Sequence, residues 1–100
     1  MLRELNGKDD LRIICNQLGK SSTSSGANYE EAQAAVSKAD FANKIGISLK
    51  EMRESNYWLR ILTELYPDHS EIDELTEESH ELKKILGSIS YKVSPRSKQF

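Results

Sequence analysis

The chain has 100 residues, of which 37% are hydrophobic and 30% are charged, and its formal net charge is −2. This length corresponds to one domain, and the composition is apolar enough to fold. A slightly acidic chain has no general affinity for nucleic acid. No apolar run approaches the roughly 20 residues that span a bilayer, and no signal-peptide core follows Met1. We therefore expect a cytoplasmic protein without a membrane segment.

Cys15 is the only cysteine. A single cysteine excludes an intramolecular disulfide and a cysteine metal cluster. We expect Cys15 to be a small buried apolar residue rather than a reactive thiol, because free cysteines are usually buried.

The first predicted helix covers residues 10–35 and contains the one ambiguous segment of the chain. Residues 21–26 (SSTSSG) have the composition of a flexible linker. The helical spacing of threes and fours nevertheless continues through this segment without a change of phase. We therefore favour one long helix with a seam of small residues over a linker. The predicted seam comprises Leu11, Cys15, Leu18, Ser22, Ser25, Tyr29, Ala32 and Val36.

The second predicted helix covers residues 38–66. Ser37, followed by Asp40, resembles a capping box at its start. Gly46 lies inside this helix, where glycine costs about 1 kcal/mol relative to alanine. A close approach of two helices at Gly46 would explain it.

The third predicted helix covers residues 70–91. Ser70, followed by Asp73, resembles a second capping box, and Pro67 closes the preceding helix. Residues 94–100 lack periodicity and are expected to form a disordered tail, so the single domain covers residues 1–93. The predicted apolar stripe comprises Ile72, Leu75, Ser79, Leu82, Leu86, Ile89 and Val93.

Charge is distributed unevenly near the C-terminus. Residues 64–81 contain eight acidic side chains and no Lys or Arg, whereas residues 82–100 contain five basic side chains and no acid. We favour complementation of the helix dipole over matching of one subunit's acidic end to another's basic end. If the basic residues bind phosphates, the nucleic-acid contacts are Lys83, Lys84, Lys92, Arg96 and Lys98.

No set of residues predicts catalysis or a cofactor. Glu77 and His80 form half of a di-iron motif, but no second motif exists, so we expect a solvated face. The serines lie in no nucleophile elbow, and neither Gly19 nor Gly26 has P-loop spacing. We therefore expect a protein that is not an enzyme, with no metal, cofactor or small-molecule substrate.

Ordered blocks of this sequence resemble one known family. Residues 19–32 (GKSSTSSGANYEEA) are similar to the R-S-x-T-S-x-G-A-N-x-x-E-A signature of the 23S rRNA intervening-sequence proteins, which are often labelled ribosomal proteins. Further blocks follow in register at residues 37–41, 44–51, 54–62 and 82–89. The resemblance implies an antiparallel four-helix up-and-down bundle and, for related members, a ring-shaped homopentamer.

Two departures from the family pattern qualify what the resemblance implies. Family members normally begin with a further amphipathic helix of which only residues 1–6 remain here, so an apolar groove is expected. The signature usually begins with a basic pair, and this chain has Gly19-Lys20 in its place. A related group of accessory proteins in diversity-generating retroelements binds reverse transcriptase and nucleic acid as a basic oligomer, but this chain is acidic.

Four residues of the blocks that resemble the family are expected to be structural. Gly26 belongs to the signature, and Trp58 is expected to pack in a core or interface rather than to stack on bases. Asn28 and Glu31 fit either a buried hydrogen bond that fixes helix register or a contact between subunits. The leading hypothesis is a self-associating interaction or adaptor subunit, and the alternative is a nucleic-acid-binding accessory protein.

Overall fold

The computed structural model describes residues 8–94, which form three helices and no strand. The helices are α1 (Lys8–Gln33), α2 (Lys38–Leu65) and α3 (Ser70–Val93). The all-α class predicted from the sequence is confirmed, with three helices in this part of the chain. The predicted remnant of an earlier helix in residues 1–6 lies outside the described residues, and so does the predicted disordered tail apart from Ser94.

Two turns of four residues reverse the chain, so that α2 runs antiparallel to both α1 and α3. Along the α1–α2 contact, Ser21 pairs with Ser55 whereas the later Ser25 pairs with the earlier Ser48. Because α2 is antiparallel to both neighbours, α1 and α3 point in the same direction.

The Ser-rich segment 21–26 is helical throughout, as the phase of the apolar pattern predicts. The predicted seam is nevertheless wrong at every second position, where the predicted residue is exposed. Cys15 is exposed, contrary to the expectation that it is buried, while Ile14 is 1% exposed. The face of α1 that contacts α2 is formed by Leu11, Ile14, Leu18, Ser21, Ser25 and Ala32.

The buried core has two apolar ends and a serine layer between them. One cluster contains Ile14, Leu59, Ile61 and Leu62, and the other contains Ala32, Ile45, Leu49 and Leu86. Between these clusters, Ser25 Oγ donates to the carbonyl of Ser48 (2.9 Å) and Ser48 Oγ donates to that of Ser25 (2.8 Å). These reciprocal bonds satisfy hydroxyls that would be costly to bury alone.

A polar contact joins α2 to α3 at Asn56, which is 2% exposed. Its Nδ2 donates to Ser79 Oγ (2.9 Å), and its Oδ1 accepts from Arg60 Nε (3.0 Å) and Lys83 Nζ (3.3 Å). Both the nitrogen and the oxygen of the amide are therefore hydrogen-bonded, and these bonds fix the register of α3 on α2.

The explanation proposed for Gly46 is wrong. A Cβ built at this position meets no other heavy atom within 4 Å, leaving the helix's own backbone aside. No neighbouring helix comes close enough to require glycine there.

The start of α2 has the predicted cap, whereas the start of α3 does not. Ser37 Oγ accepts from the backbone N–H of Asp40 at 3.0 Å. The N-cap of α3 is His69, whose Nδ1 accepts from Ile72 N at 3.4 Å, so Ser70 is the first helical residue and not the cap. The preceding Asp68 has a positive φ of 66°, which aspartate tolerates better than most residues.

Replacing Ser37 tests its assignment as the N-cap of α2, and the same replacement at Ser70 is the control. We expect Ser37→Ala to lower the free energy of unfolding by about 1 kcal/mol, because it leaves a backbone N–H of α2 without its acceptor. Ser70→Ala should change stability by less than about 0.5 kcal/mol, as exposed substitutions usually do. Urea unfolding of both variants measures the difference, and equal losses would contradict the assignment.

Candidate helix-binding groove

The vacant side of the bundle is defined by the packing of the three helices. Helix α2 packs against α1 and against α3, whereas α1 and α3 have no Cα atoms within 8 Å of each other in the described structure. Because α1 and α3 both pack on α2 but not closely against each other, the corner between α1 and α3 is open.

The open corner is an apolar groove, which we call the α1–α3 groove. Leu59 and Met52 of α2 form its floor, and its walls are formed by Leu18 and Ser22 of α1 and by Leu75, Glu78 and Leu82 of α3. Leu75 is 50% exposed and Leu82 is 44% exposed, although neither is at a helix end.

Helix α3 carries two apolar stripes, which explains why its predicted stripe was only partly correct. Ile72, Ser79 and Leu86 face α2, and Ser79 and Leu86 are buried. Leu75 and Leu82 lie on a second stripe beside the groove. The single stripe predicted from the sequence contained residues of both stripes. Adjacent stripes on one helix are offset by only one residue, so the apolar spacing did not separate them.

An acidic row runs along the groove side of α3. Glu71, Glu74, Glu78 and Glu81 are spaced by three and four residues and are all exposed. Glu81 lies 3.5 Å from Lys84, whereas no lysine or arginine in the described chain lies within 4 Å of the other three. The helix dipole acts over the first turn, so it accounts for Glu71 but not for Glu78, more than one turn further along.

The predicted phosphate contacts do not form one surface. Lys83 Nζ donates to the buried Asn56, and Lys84 pairs with Glu81. Lys83 and Lys92 are nine residues apart, or about two and a half helical turns, so they lie on opposite sides of α3. Arg96 and Lys98 lie outside the described residues.

The half di-iron motif lies on a solvated surface. Glu77 and His80 are both exposed. Within residues 8–94, no three residues of His, Cys, Asp or Glu are grouped so that they could hold a metal ion.

The signature residues of α1 are mostly peripheral. Asn28 Nδ2 donates to the carbonyl of Ser24 in the same helix (2.9 Å). Exposed Glu31 lies 3.8 Å from Lys44 and thereby links α1 to α2 weakly. The buried serines Ser21 and Ser25 carry the interhelical contacts of this block instead.

Trp58 packs against the core cluster at the Ile14 end of the molecule. Its ring meets the ring of Tyr57 edge to face, with centroids 5.1 Å apart. The indole Nε1 is buried and has no hydrogen-bond acceptor in the described structure. Trp58 is therefore not an exposed stacking platform of the kind that single-strand binders use.

Gly26 is exposed within α1, and a Cβ there meets no other heavy atom within 4 Å apart from the helix backbone. We expect Gly26→Ala to raise the free energy of unfolding by about 0.5–1 kcal/mol, because alanine restricts the unfolded chain and favours helix. The exposed neighbour supplies the reverse control, since Ala27→Gly should lower it by a similar amount. Thermal unfolding followed by circular dichroism measures both changes, and a destabilising Gly26→Ala would contradict the open environment.

None of the helices in the described structure is long and apolar enough to cross a membrane. The helices and the groove define a small all-α protein with surfaces suited to packing against other helices.

The chain belongs to the 23S rRNA-intervening sequence protein family, whose model matches residues 3–88. It is also similar to a solved protein of unknown function from the S23 ribosomal protein family of Bacteroides thetaiotaomicron. The two are 40% identical, the match covers 78% of this chain and 73% of that one, and the TM-score is 0.71. No curated protein matches the chain.

Sequence reasoning missed Asn56, Ser48 and Ser55 as contact residues. A buried Ser or Asn has no apolar signature, so the periodicity that finds helices passes over it. The available signal was their position on the inner face of α2, together with the small residues already noted in α1.

Proposed function

We propose that this protein is a non-catalytic interaction subunit, which self-associates and serves as an adaptor by packing helices against its own. The observation that carries this proposal is the α1–α3 groove, in which Leu75 and Leu82 are exposed beside the buried Leu59.

We assign the groove to the fourth corner of an antiparallel four-helix bundle. A helix seated there would contact α1 and α3 and would run antiparallel to both. The family resemblance supports this arrangement and the ring-shaped homopentamer that it implies for related members. Burial of both leucines would remove from water apolar surface worth roughly 1.5–3 kcal/mol for each fully buried side chain.

The solution mass of the chain, measured by light scattering behind a sizing column, tests this proposal. We expect a discrete oligomer free of nucleic acid, which the double variant Leu75→Gln/Leu82→Gln converts to a lower mass. Ile13→Gln is the matched control, because Ile13 is 56% exposed on the side of α1 away from Leu18 and the groove. A monomeric wild-type chain, or a double variant with unchanged mass, would refute self-association through the groove.

Binding to nucleic acid is the alternative function, and the sequence feature that suggests it is the run of residues 82–100, which contains five basic side chains and no acid. Affinity for RNA or DNA should then fall steeply with salt, since each phosphate contact releases counterions. An affinity that is the same at low and at physiological salt would refute this alternative. Absorbance at nucleic-acid wavelengths during the sizing experiment detects bound RNA or DNA directly.

A further inference from the structure

We propose that Arg60 and Lys83 form a binding site for one phosphate group, on the side of the α2–α3 contact that faces away from the groove. Arg60 follows Leu59 and Lys83 follows Leu82, so each basic residue lies about 100° around its helix from a residue that lines the groove. The site therefore does not depend on what occupies the groove, and the inference goes beyond the proposed self-association.

The two cationic groups of the site are held side by side by one buried acceptor. Asn56 is 2% exposed, and its Oδ1 accepts from Arg60 Nε at 3.0 Å and from Lys83 Nζ at 3.3 Å. The Nδ2 of the same amide donates to Ser79 Oγ at 2.9 Å, which fixes its orientation. Because the amide carries no net charge, it positions both cations and neutralises neither of them.

Neither cation has an acidic partner in the described structure. No carboxylate among the described residues lies within 4 Å of Arg60 or Lys83, although the exposed Glu64 is only one turn further along α2. Two positive charges that share one neutral acceptor repel each other. An anion bound between them would relieve this repulsion.

The chemistry of the unused donors matches a phosphate group. The Nη groups of Arg60 and the remaining ammonium hydrogens of Lys83 donate to no other atom of the described structure. A phosphate monoester carries a charge of about −1.5 to −2 at pH 7 and three strong acceptor oxygens, so one group can engage both cations. A carboxylate carries a single charge and would neutralise only one of them.

A nucleic-acid strand fits this site less well than a compact ligand does. Each phosphodiester carries one charge, and a strand extends beyond the two cations. The exposed acids Glu64, Glu77 and Glu81 border the site along the two helices, so a strand that passes over it would meet like charges. The matching ligand is one phosphate dianion, which a free phosphate ion and a phosphorylated serine of a partner protein both supply.

Titration of the full chain with inorganic phosphate tests the site, with the backbone amide NMR signals of α2 and α3 as the readout. At neutral pH and a constant ionic strength of about 0.1 M, we expect saturable shifts around Asn56 and Lys83 with phosphate and much smaller ones with acetate. Arg60→Gln/Lys83→Gln should raise the Kd for phosphate at least about tenfold, because it removes the charge-assisted hydrogen bonds.

The matched control is Lys20→Gln/Lys50→Gln, which makes the same change in net charge at two exposed positions outside the site. This control should change the Kd less than about twofold, since exposed charges farther than a Debye length from the ligand are largely screened. The groove variant Leu75→Gln/Leu82→Gln should leave phosphate binding unchanged. Failure of the groove and failure of the phosphate site are therefore distinguishable.

A phosphoserine peptide and its unphosphorylated counterpart identify the source of the phosphate group. Tighter binding of the phosphopeptide than of inorganic phosphate assigns the group to a partner protein, whereas equal or weaker binding assigns it to the free ion. Three results would overturn the inference: no saturable shift with either phosphate ligand, acetate binding as tightly as phosphate, or equal losses in the site and control variants. Tighter binding of a single-stranded oligonucleotide without a terminal phosphate at the same residues would overturn it as well.

Discussion

Replacing Asn56 by alanine should lower the free energy of unfolding by about 2 kcal/mol. The side chain is buried between α2 and α3, where it donates to Ser79 and accepts from Arg60 and Lys83. Alanine removes all three hydrogen bonds, two of which involve charged donors, and it leaves a small cavity. In a domain of this size, such a loss corresponds to a fall of roughly 10 °C in Tm.

Asn43→Ala provides the control for this substitution. Asn43 is an exposed residue of the same helix, so its replacement should change stability by less than about 0.5 kcal/mol. Urea unfolding at constant m-value measures both variants. Losses of equal size would show that the Asn56 contacts contribute nothing, and that α3 is held on α2 by its apolar residues.

The contacts of Asn56 also show what the sequence could predict about this fold. Helix positions were predictable, because periodicity and turn residues such as Pro67 act locally. The partner of each buried polar group was not predictable, because Asn56 and Ser79 meet only after α2 and α3 have packed. The serine pair Ser25 and Ser48 was hidden for the same reason.

The candidate site was predicted only in outline. A vacant apolar groove followed from the family resemblance, but the residues that line it follow from the register of each helix. The predicted seam of α1 was shifted by one position here. It included Cys15, which is exposed, and omitted Ile14, which is buried. The acidic residues of α3 were visible in the sequence. Only the packed structure showed that Glu71, Glu74 and Glu78 have no lysine or arginine within 4 Å among the described residues.

The register of α1 can be tested with its adjacent isoleucines, Ile13 and Ile14. Ile14 is 1% exposed and packs in the cluster with Leu59 and Leu62, whereas Ile13 is 56% exposed. We expect Ile14→Ala to lower the free energy of unfolding by about 3 kcal/mol, since it removes buried methyl and methylene groups and leaves a cavity. Ile13→Ala should have an effect below about 1 kcal/mol, because it buries little surface and alanine favours helix.

This pair is a stringent control because the chemical change, the helix and the sequence position are nearly identical. Any effect of the substitution on the unfolded chain is shared, so the difference between the variants reports the side of α1 that faces α2. Chemical denaturation of both variants measures that difference. A larger loss at Ile13 than at Ile14 would mean that α1 is rotated on α2. The rotation would also move Leu18 and Ser22 away from the α1–α3 groove, so the stability of this pair tests one wall of the proposed binding site.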